Sequence, residues 1–456
     1  MTKQRKLIRT RLPILLSIAV PFLGVGVFAQ SRVSNPLLTL DGSGVLSTYS
    51  TRGQIDVNNA FFQNLGTNGR TCNSCHVSSQ AWSVTPLGIK ERFAVTLGTD
   101  PIFRPVDGAN CPSADVSTAW TRVRAYSLLL KKGLIRISLP VPATADFQIT
   151  NVKDPYHCPQ TTAAQPAMYR RPLPATNLPF LTTVMWDGRE SPKGQSLTAD
   201  LTQQGIDATT GHAQGAIPTS KQLQDIVAFE TAIFTAQAYD FAAGRLTASG
   251  AKGGPVNLST QPFFVGINDV LSPGFDPNAF TIYKPWESLT DSSARARASV
   301  ARGEALFNTL PIMITGVAGL NDLPGLSVVN GSCTTCHDTP NVGNHSVALA
   351  INIGVTDYPA RGGLDVSGLP VYTIKCNSTG ATVQTTDPAR AMVTGKCADV
   401  GKTKGPILRA LAARAPYFHN GSAATLMDAV EFYDQRFNLN MTAQQKSDLV
   451  AFLQTL

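Results

Sequence analysis

The sequence predicts a mainly α-helical chain: two similar domains, each carrying long loop-rich insertions. Three observations predict this. The pattern Cys-x-x-Cys-His occurs twice, at Cys72, Cys75, His76 and at Cys333, Cys336, His337. The flanks of the two copies echo each other. Asn-Ala-Phe-Phe at 59–62 precedes Gly69-Arg70-Thr71-Cys72, and Gly303-Glu304-Ala305-Leu306-Phe307 precedes Gly331-Ser332-Cys333. Each half then carries nearly the same helical core, Asp225-Ile226-Val227-Ala228-Phe229 and Asp448-Leu449-Val450-Ala451-Phe452. A chain of 456 residues, 43% hydrophobic and 15% charged, is long enough for two or three domains that each bury a core.

From the N-terminus, the first element is an export signal, residues 1–29. Lys3, Arg5, Lys6, Arg9 and Arg11 form a basic head. An apolar run from Leu12 to Phe28 follows, and Val27 and Ala29 offer small residues for cleavage after Ala29. Pro13 and Pro21 interrupt the run, which argues against an uncleaved membrane anchor. This segment holds five basic residues and no acidic ones, so the net charge of +8 falls to near +3 (8 − 5) in the mature chain. Such a balance, with no basic patch interleaved with aromatics, speaks against nucleic-acid binding. It leaves a small redox protein open as a partner.

The cysteines carry the chemistry. In Cys-x-x-Cys-His the two thiols add to the vinyl groups of a haem, and the adjacent histidine becomes the proximal iron ligand. A thioredoxin-like redox pair would need a βαβ context, and none is visible. A zinc site would leave the histidine after each pair without a role. Two covalently bound haem c groups are therefore expected, with His76 and His337 as iron ligands. A small cytochrome c is built from an N-terminal helix, a haem-binding turn and a C-terminal helix that crosses the first. The repeat thus reads as two cytochrome c-type domains. The other four cysteines are Cys111, Cys158, Cys376 and Cys397. In an exported chain they are expected to form disulfides. Pairing within each half gives Cys111–Cys158 and Cys376–Cys397, although three connectivities are open.

The elements between these landmarks follow from periodicity and caps. Ser220 is placed to cap a helix whose apolar residues recur at Leu223, Ile226, Val227, Ile233 and Phe234. Asp291 or Ser292 is placed to start a second helix running into Phe307. Thr442 with Gln445 reads as a capping box for the last helix, with Leu449, Val450 and Leu453 as its buried stripe. The Gly-, Pro- and Asn-rich stretch from Lys252 to Lys284 reads as a linker. The expected organisation is a first domain at 30–255, a linker at 256–289 and a second domain at 290–456. A Pro-rich, weakly periodic insertion at about 100–179 is expected to pack over the first haem and approach the second domain.

Two further motifs are specific: Trp186-Asp187-Gly188-Arg189, and Pro416-Tyr417-Phe418-His419-Asn420-Gly421 followed by Thr425-Leu426. With the two haem motifs, they make most of the mature chain resemble the bacterial dihaem cytochrome c peroxidases and their relative, the methylamine-utilisation maturase. The resemblance implies that Trp186 lies between the haems as an electron relay, or as an aromatic packed in the domain interface. The peroxidases carry a Met ligand to the second haem fourteen residues after the motif histidine, whereas the maturase carries Tyr. Here that position, counted from His419, is Tyr433. A phenolate favours ferric iron and lowers the reduction potential. The plain alternative is a core tyrosine on the helix through Leu426 and Val430. Met427 and Met441 are competitors, read as packing or surface residues.

At the first haem the family uses a Gln and, ten residues later, a Glu to position peroxide and move its protons. With four residues inserted after Arg189, Gln204 suits the first position, but the second then falls on Gln214, which does no acid–base work. His212 is the substitute: an acid–base group, a ligand to the first haem, or a plain loop histidine. His345 and His157 read as a surface-loop and a structural histidine, and His419 as a hydrogen-bonding neighbour of the second haem. The family also holds Ca²⁺ between its domains through Asn, Thr and Pro positions. Asn177 and Pro416 match two of these, and Arg414 stands at the third; its guanidinium could supply the charge instead, while its backbone carbonyl leaves one bound Ca²⁺ open.

The expected activity is that of a periplasmic dihaem oxidoreductase: hydrogen peroxide is reduced to water by electrons from a small donor such as a cytochrome c or cupredoxin. Alternatives are a maturase-like oxidase acting on a protein or organic substrate, and a non-catalytic dihaem electron carrier. Family members often form homodimers.

Overall fold

The computed structural model describes residues 32–289 and 294–456. The expected signal segment, 1–29, and the expected helix starts, Asp291 and Ser292, lie outside the described residues. Among those described, no helix is long and apolar enough to cross a membrane.

The mainly α expectation is wrong. The chain is 30% helix and 16% strand, with many small sheets. Helical periodicity is confined to a few segments, while the stretches between them are broken by Gly and Pro and pair as short strands. The first half shows why. The helix Ser220–Glu230 buries Leu223, Ile226 and Val227 as expected, but it is capped by Thr219 rather than Ser220, through a Thr219–Gln222 capping box. It ends at Glu230, and Ile233 and Phe234 open the strand Ile233–Asp240 instead. That strand pairs antiparallel with Gly44–Ser50 inside a four-stranded sheet. The Asn-Ala-Phe-Phe segment is a single 3₁₀ turn, Ala60–Phe62, capped by the Asn59 side chain. Its Phe61 packs against Trp82 and Phe229.

The second half follows the helical plan more closely. Helix Arg295–Thr309 lies against Ala443–Gln454, which starts at the expected Thr442–Gln445 capping box. The crossing depends on Gly303: a Cβ there would fall 2.0 Å from the Asp448 carbonyl oxygen. Asp448 closes the contact by accepting from Arg302 Nε at 2.8 Å. Phe307, Leu449 and Phe452 bury into one core with Phe280, Tyr283 and Trp286 from the Gly- and Pro-rich stretch before the helix.

The 100–179 segment has structure of its own. Its strand Phe147–Lys153 pairs with Val371–Cys376. Disulfides join Cys111 to Cys158 and Cys376 to Cys397, leaving the four haem-motif cysteines free.

Candidate functional site

The two Cys-x-x-Cys-His segments fold into the same local structure. Each is a 3₁₀ turn opened by a reciprocal side-chain cap, Thr71 with Ser74 and Ser332 with Thr335. In each, the histidine N–H donates to the carbonyl of the first cysteine, at 3.0 Å for His76 and 3.1 Å for His337. His76 Nδ1 lies 3.0 Å from the Trp82 carbonyl oxygen, and His337 Nδ1 lies 2.6 Å from that of Gly343. A carbonyl only accepts, so the proton sits on Nδ1 and Nε2 is left as a donor atom for a metal. Burial lowers both imidazoles below their ordinary pKa and keeps them neutral, as a ligand must be.

Each turn opens on a largely apolar cavity. The first is lined by Cys72, Cys75 and His76, and also by Gln204, His212 and Glu230. The second is lined by Cys333, Cys336 and His337, and also by Tyr433, His419 and Met441. Arg171, Pro172, Pro174, Trp186, Lys404 and Ile407 line both, so these residues form a shared wall. The Trp186 indole N–H donates to the Arg171 carbonyl at 2.9 Å, and its ring meets His419 edge-on at 6.0 Å. Two attachment thiols, a histidine with a free Nε2 and an apolar pocket fit a covalently held haem at both places.

The cavities differ in their polar groups. In the first, His212 closes a π-helical turn, Ala208–His212, after the helix Leu197–Asp207 that carries Gln204. Its Nδ1 is held by the buried Asp107 carboxylate. Asp107 also pairs with Arg70, which donates to the carbonyls of Pro101, Ile102 and His212 at 2.8–3.0 Å. Burial alone would raise the Asp107 carboxyl. The bonds and charges of His212 and Arg70 outweigh it and hold the group below the usual carboxylate range.

In the second cavity, Tyr433 sits on the helix Leu426–Phe437, stacked on Phe437 at 6.4 Å. Its hydroxyl has no hydrogen-bond partner among the described residues. Burial pushes the phenol well above its ordinary pKa, with Cys336 and Cys333 adding to the shift. In the chain alone it stays protonated, and only a nearby cation would ionise it. If Tyr433 ligates the second haem, Tyr433→Phe is expected to convert that centre's low-spin ferric signal to high-spin while leaving the first unchanged. An unaltered spectrum would leave Met441, on the same cavity, as the better ligand; Met427 is 37% exposed.

His345 departs from the surface-loop expectation. It is 4% exposed and lines the second cavity, and its Nε2 has no partner. Its loop is drawn inward because Asp338 accepts from the N–H and hydroxyl of Ser346, and Thr182 donates to the His345 carbonyl. His157 is exposed beside its disulfide. His419 is buried, with Nε2 3.6 Å from Asp387.

No protein-family model matches the chain. Curated relatives do. The chain is 33% identical to the cytochrome c551 peroxidase of Nitrosomonas europaea over 143 residues, which cover 30% of this chain and 34% of that protein. It is 31% identical to a cytochrome-c peroxidase of Denitromonas iodatirespirans over 141 residues, 28% of this chain and 36% of that one. Over these stretches the chain is similar to cytochrome c peroxidases. It spans about a third of the length of the curated relatives it matches. Among solved structures, a MauG-like protein associated with microbial copper homeostasis aligns over 87% of this chain and 86% of its own, at 16% identity and a TM-score of 0.39. That score is too low for comparing sites.

Two polar residues go beyond the motifs: Asp107, behind His212, and Glu230, in the wall of the first cavity. Asp107 lies in a Pro-rich stretch, and only the fold brings it to His212. Glu230 ends the Ser220–Glu230 helix, 5% exposed, with Oε2 unpartnered, and burial alone pushes its carboxyl up to about 8. One signal in the sequence marked Glu230: a carboxylate following Phe229 at the end of an otherwise apolar helix stripe.

Proposed function

We propose that this chain is an exported, periplasmic oxidoreductase that holds two haem c groups and reduces hydrogen peroxide to water. A small redox protein supplies its electrons. The observation that carries the reading is a pair of cavities with alike attachment turns and unlike polar groups, sharing Trp186 as a wall. The domains are taken as 30–255 and 290–456, one cavity to each.

Cys72 and Cys75 hold one haem with His76, and Cys333 and Cys336 hold the other with His337 and Tyr433. When bound, each haem supplies a one-electron centre, and the first also supplies the position where peroxide binds. Reducing a peroxide to water consumes two electrons and two protons, and the chain's residues manage both. Trp186 offers an aromatic path between the cavities. His212, with Nδ1 tied to Asp107, takes a proton from the inner peroxide oxygen at Nε2 and returns it to the outer one. Gln204 orients the substrate by hydrogen bonding. Tyr433 and the Gln214 replacement favour one second reading, oxidation of a protein or organic substrate in the manner of the maturase.

The test is a haem count with an electron paramagnetic resonance spectrum of the oxidised protein, before and after one equivalent of peroxide. Two covalent haems per chain are expected, with one lost in Cys72→Ala and one in Cys333→Ala. A high-spin signal should disappear on adding peroxide, and peroxide should be consumed when a reduced cytochrome c is supplied. Two low-spin signals indifferent to peroxide, in the oxidised and half-reduced protein alike, would sink the peroxidase reading and leave an electron carrier. Peroxide consumption that oxidises added substrate in place of the donor would select the maturase-like reading.

A further inference from the structure

The wall between the cavities is cationic without visible compensation. Arg171 donates Nη1 to the Lys132 carbonyl at 3.0 Å, and Nη2 to the carbonyls of Val84 and Arg414 at 2.7 and 2.9 Å. Arg414 donates to the Ile407 carbonyl at 2.7 Å, and Lys404 to that of Thr183 at 2.6 Å. None of the three has an ion-pair partner among the described residues. Their neighbour Arg170 is the contrast, since it pairs with both Asp187 and Asp387. Burial lowers Arg171 to about 9 and Arg414 to about 10, and it brings Lys404 down to about 7. Buried cations bound only to carbonyls are costly unless an anion faces them. Arg171 and Lys404 line both cavities, and Arg414 lines the second.

The calcium implied by the resemblance does not fit here. The Asn177 side chain is spent on Thr235, donating to its carbonyl at 2.8 Å and accepting from its N–H at 2.9 Å. The Arg414 carbonyl already receives a guanidinium, which would repel a divalent ion at the same oxygen.

We propose that the Arg171 guanidinium is the resident cation between the two sites in place of calcium, and that Arg171, Arg414 and Lys404 take the carboxylates of the two haem groups as counter-ions. The proposal rests on the dihaem reading. A haem count below two per chain would defeat that reading separately.

The experiment measures calcium in the haem-loaded protein before and after dialysis against EGTA, together with its absorption spectrum and thermal midpoint. Calcium well below one per chain is expected, with spectrum and midpoint indifferent to EGTA and to added calcium. One calcium retained per chain, or a change that calcium reverses, would overturn the proposal. In a second arm, Arg171→Gln is expected to lower both haem reduction potentials, because a fixed positive charge favours the reduced state. Arg171→Lys should recover most of the shift. If Arg171→Gln does not fold, Lys404→Gln serves as the neutral variant. A folded neutral variant with both potentials unchanged would refute the role.

Discussion

His212→Ala is expected to cut peroxide turnover by about 10²–10⁴-fold, the range over which a positioned acid–base group acts. Asp107→Asn is expected to cost about 10–100-fold, as losing the partner that orients a histidine commonly does. The two should act through one unit, so the double variant should be little worse than His212→Ala alone. The mechanism is tautomeric. A carboxylate accepts only from Nδ1–H, which leaves Nε2 as the base, whereas an asparagine amide can turn and donate to Nδ1. Asp107→Asn also breaks a buried pair with Arg70, whose side chains are 5% and 3% exposed. A stability loss on the order of 3 kcal/mol is expected from that, so turnover must be measured well below the melting temperature. The check is kcat and KM for peroxide beside the visible spectrum. A His212→Ala enzyme with undiminished kcat removes the histidine from the reaction. An Asp107→Asn enzyme that loses activity only in proportion to its folded fraction reduces Asp107 to a structural role.

What could be read from the sequence was what is local in it. A Cys-x-x-Cys-His turn needs only its own backbone and a cap one residue before the first cysteine, so both sites were legible. Tyr433 was singled out only through the resemblance, by its place fourteen residues after His419, and both line one cavity. The sheet was not legible, because Thr48 meets Thr235 across 187 residues of chain, and Ile233 and Phe234 happen to extend the helical spacing of Ile226 and Val227. Asp107 and Arg171 were missed for a related reason. An acid and an arginine in Pro-rich sequence read as surface residues until the fold buries them against His212 and the cavity wall. The polar loop around His345 misled in the same way, since its inward turn depends on Asp338 and on Thr182 from the other half.

Arg170→Met is expected to cause the largest loss of stability. The guanidinium is 3% exposed and binds Asp387 with two bonds, Nε at 2.7 Å and Nη2 at 2.9 Å, while Nη1 holds Asp187. Asp187 belongs to the Trp-Asp-Gly-Arg motif, and Asp387 comes from the second half of the chain, so one side chain fastens Trp186 to both halves. Removing it leaves Asp387 without its guanidinium and Asp187 with Arg189 alone, and breaking a buried pair costs about 3–5 kcal/mol. The pH dependence identifies the cause. Burial would raise the Asp187 carboxyl, but Arg170 and then Arg189 outweigh it and hold the group at about 2, below its ordinary 3.8. A depressed acid contributes stability above its unfolded pKa and loses it as pH falls, so the native chain should shed this contribution between about pH 4 and pH 2. In Arg170→Met the sign reverses. Burial then dominates, the carboxyl rises above its unfolded value, and lowering the pH from 7 towards 5 should stabilise the variant. Thermal melts of both proteins across that range make the measurement, and parallel curves would show that Arg170 is not what holds Asp187 ionised. On the proposed two-haem reading, the same variant should slow electron exchange between the haems more than peroxide binding at the first, because Asp187, which it frees, adjoins Trp186 in the shared wall.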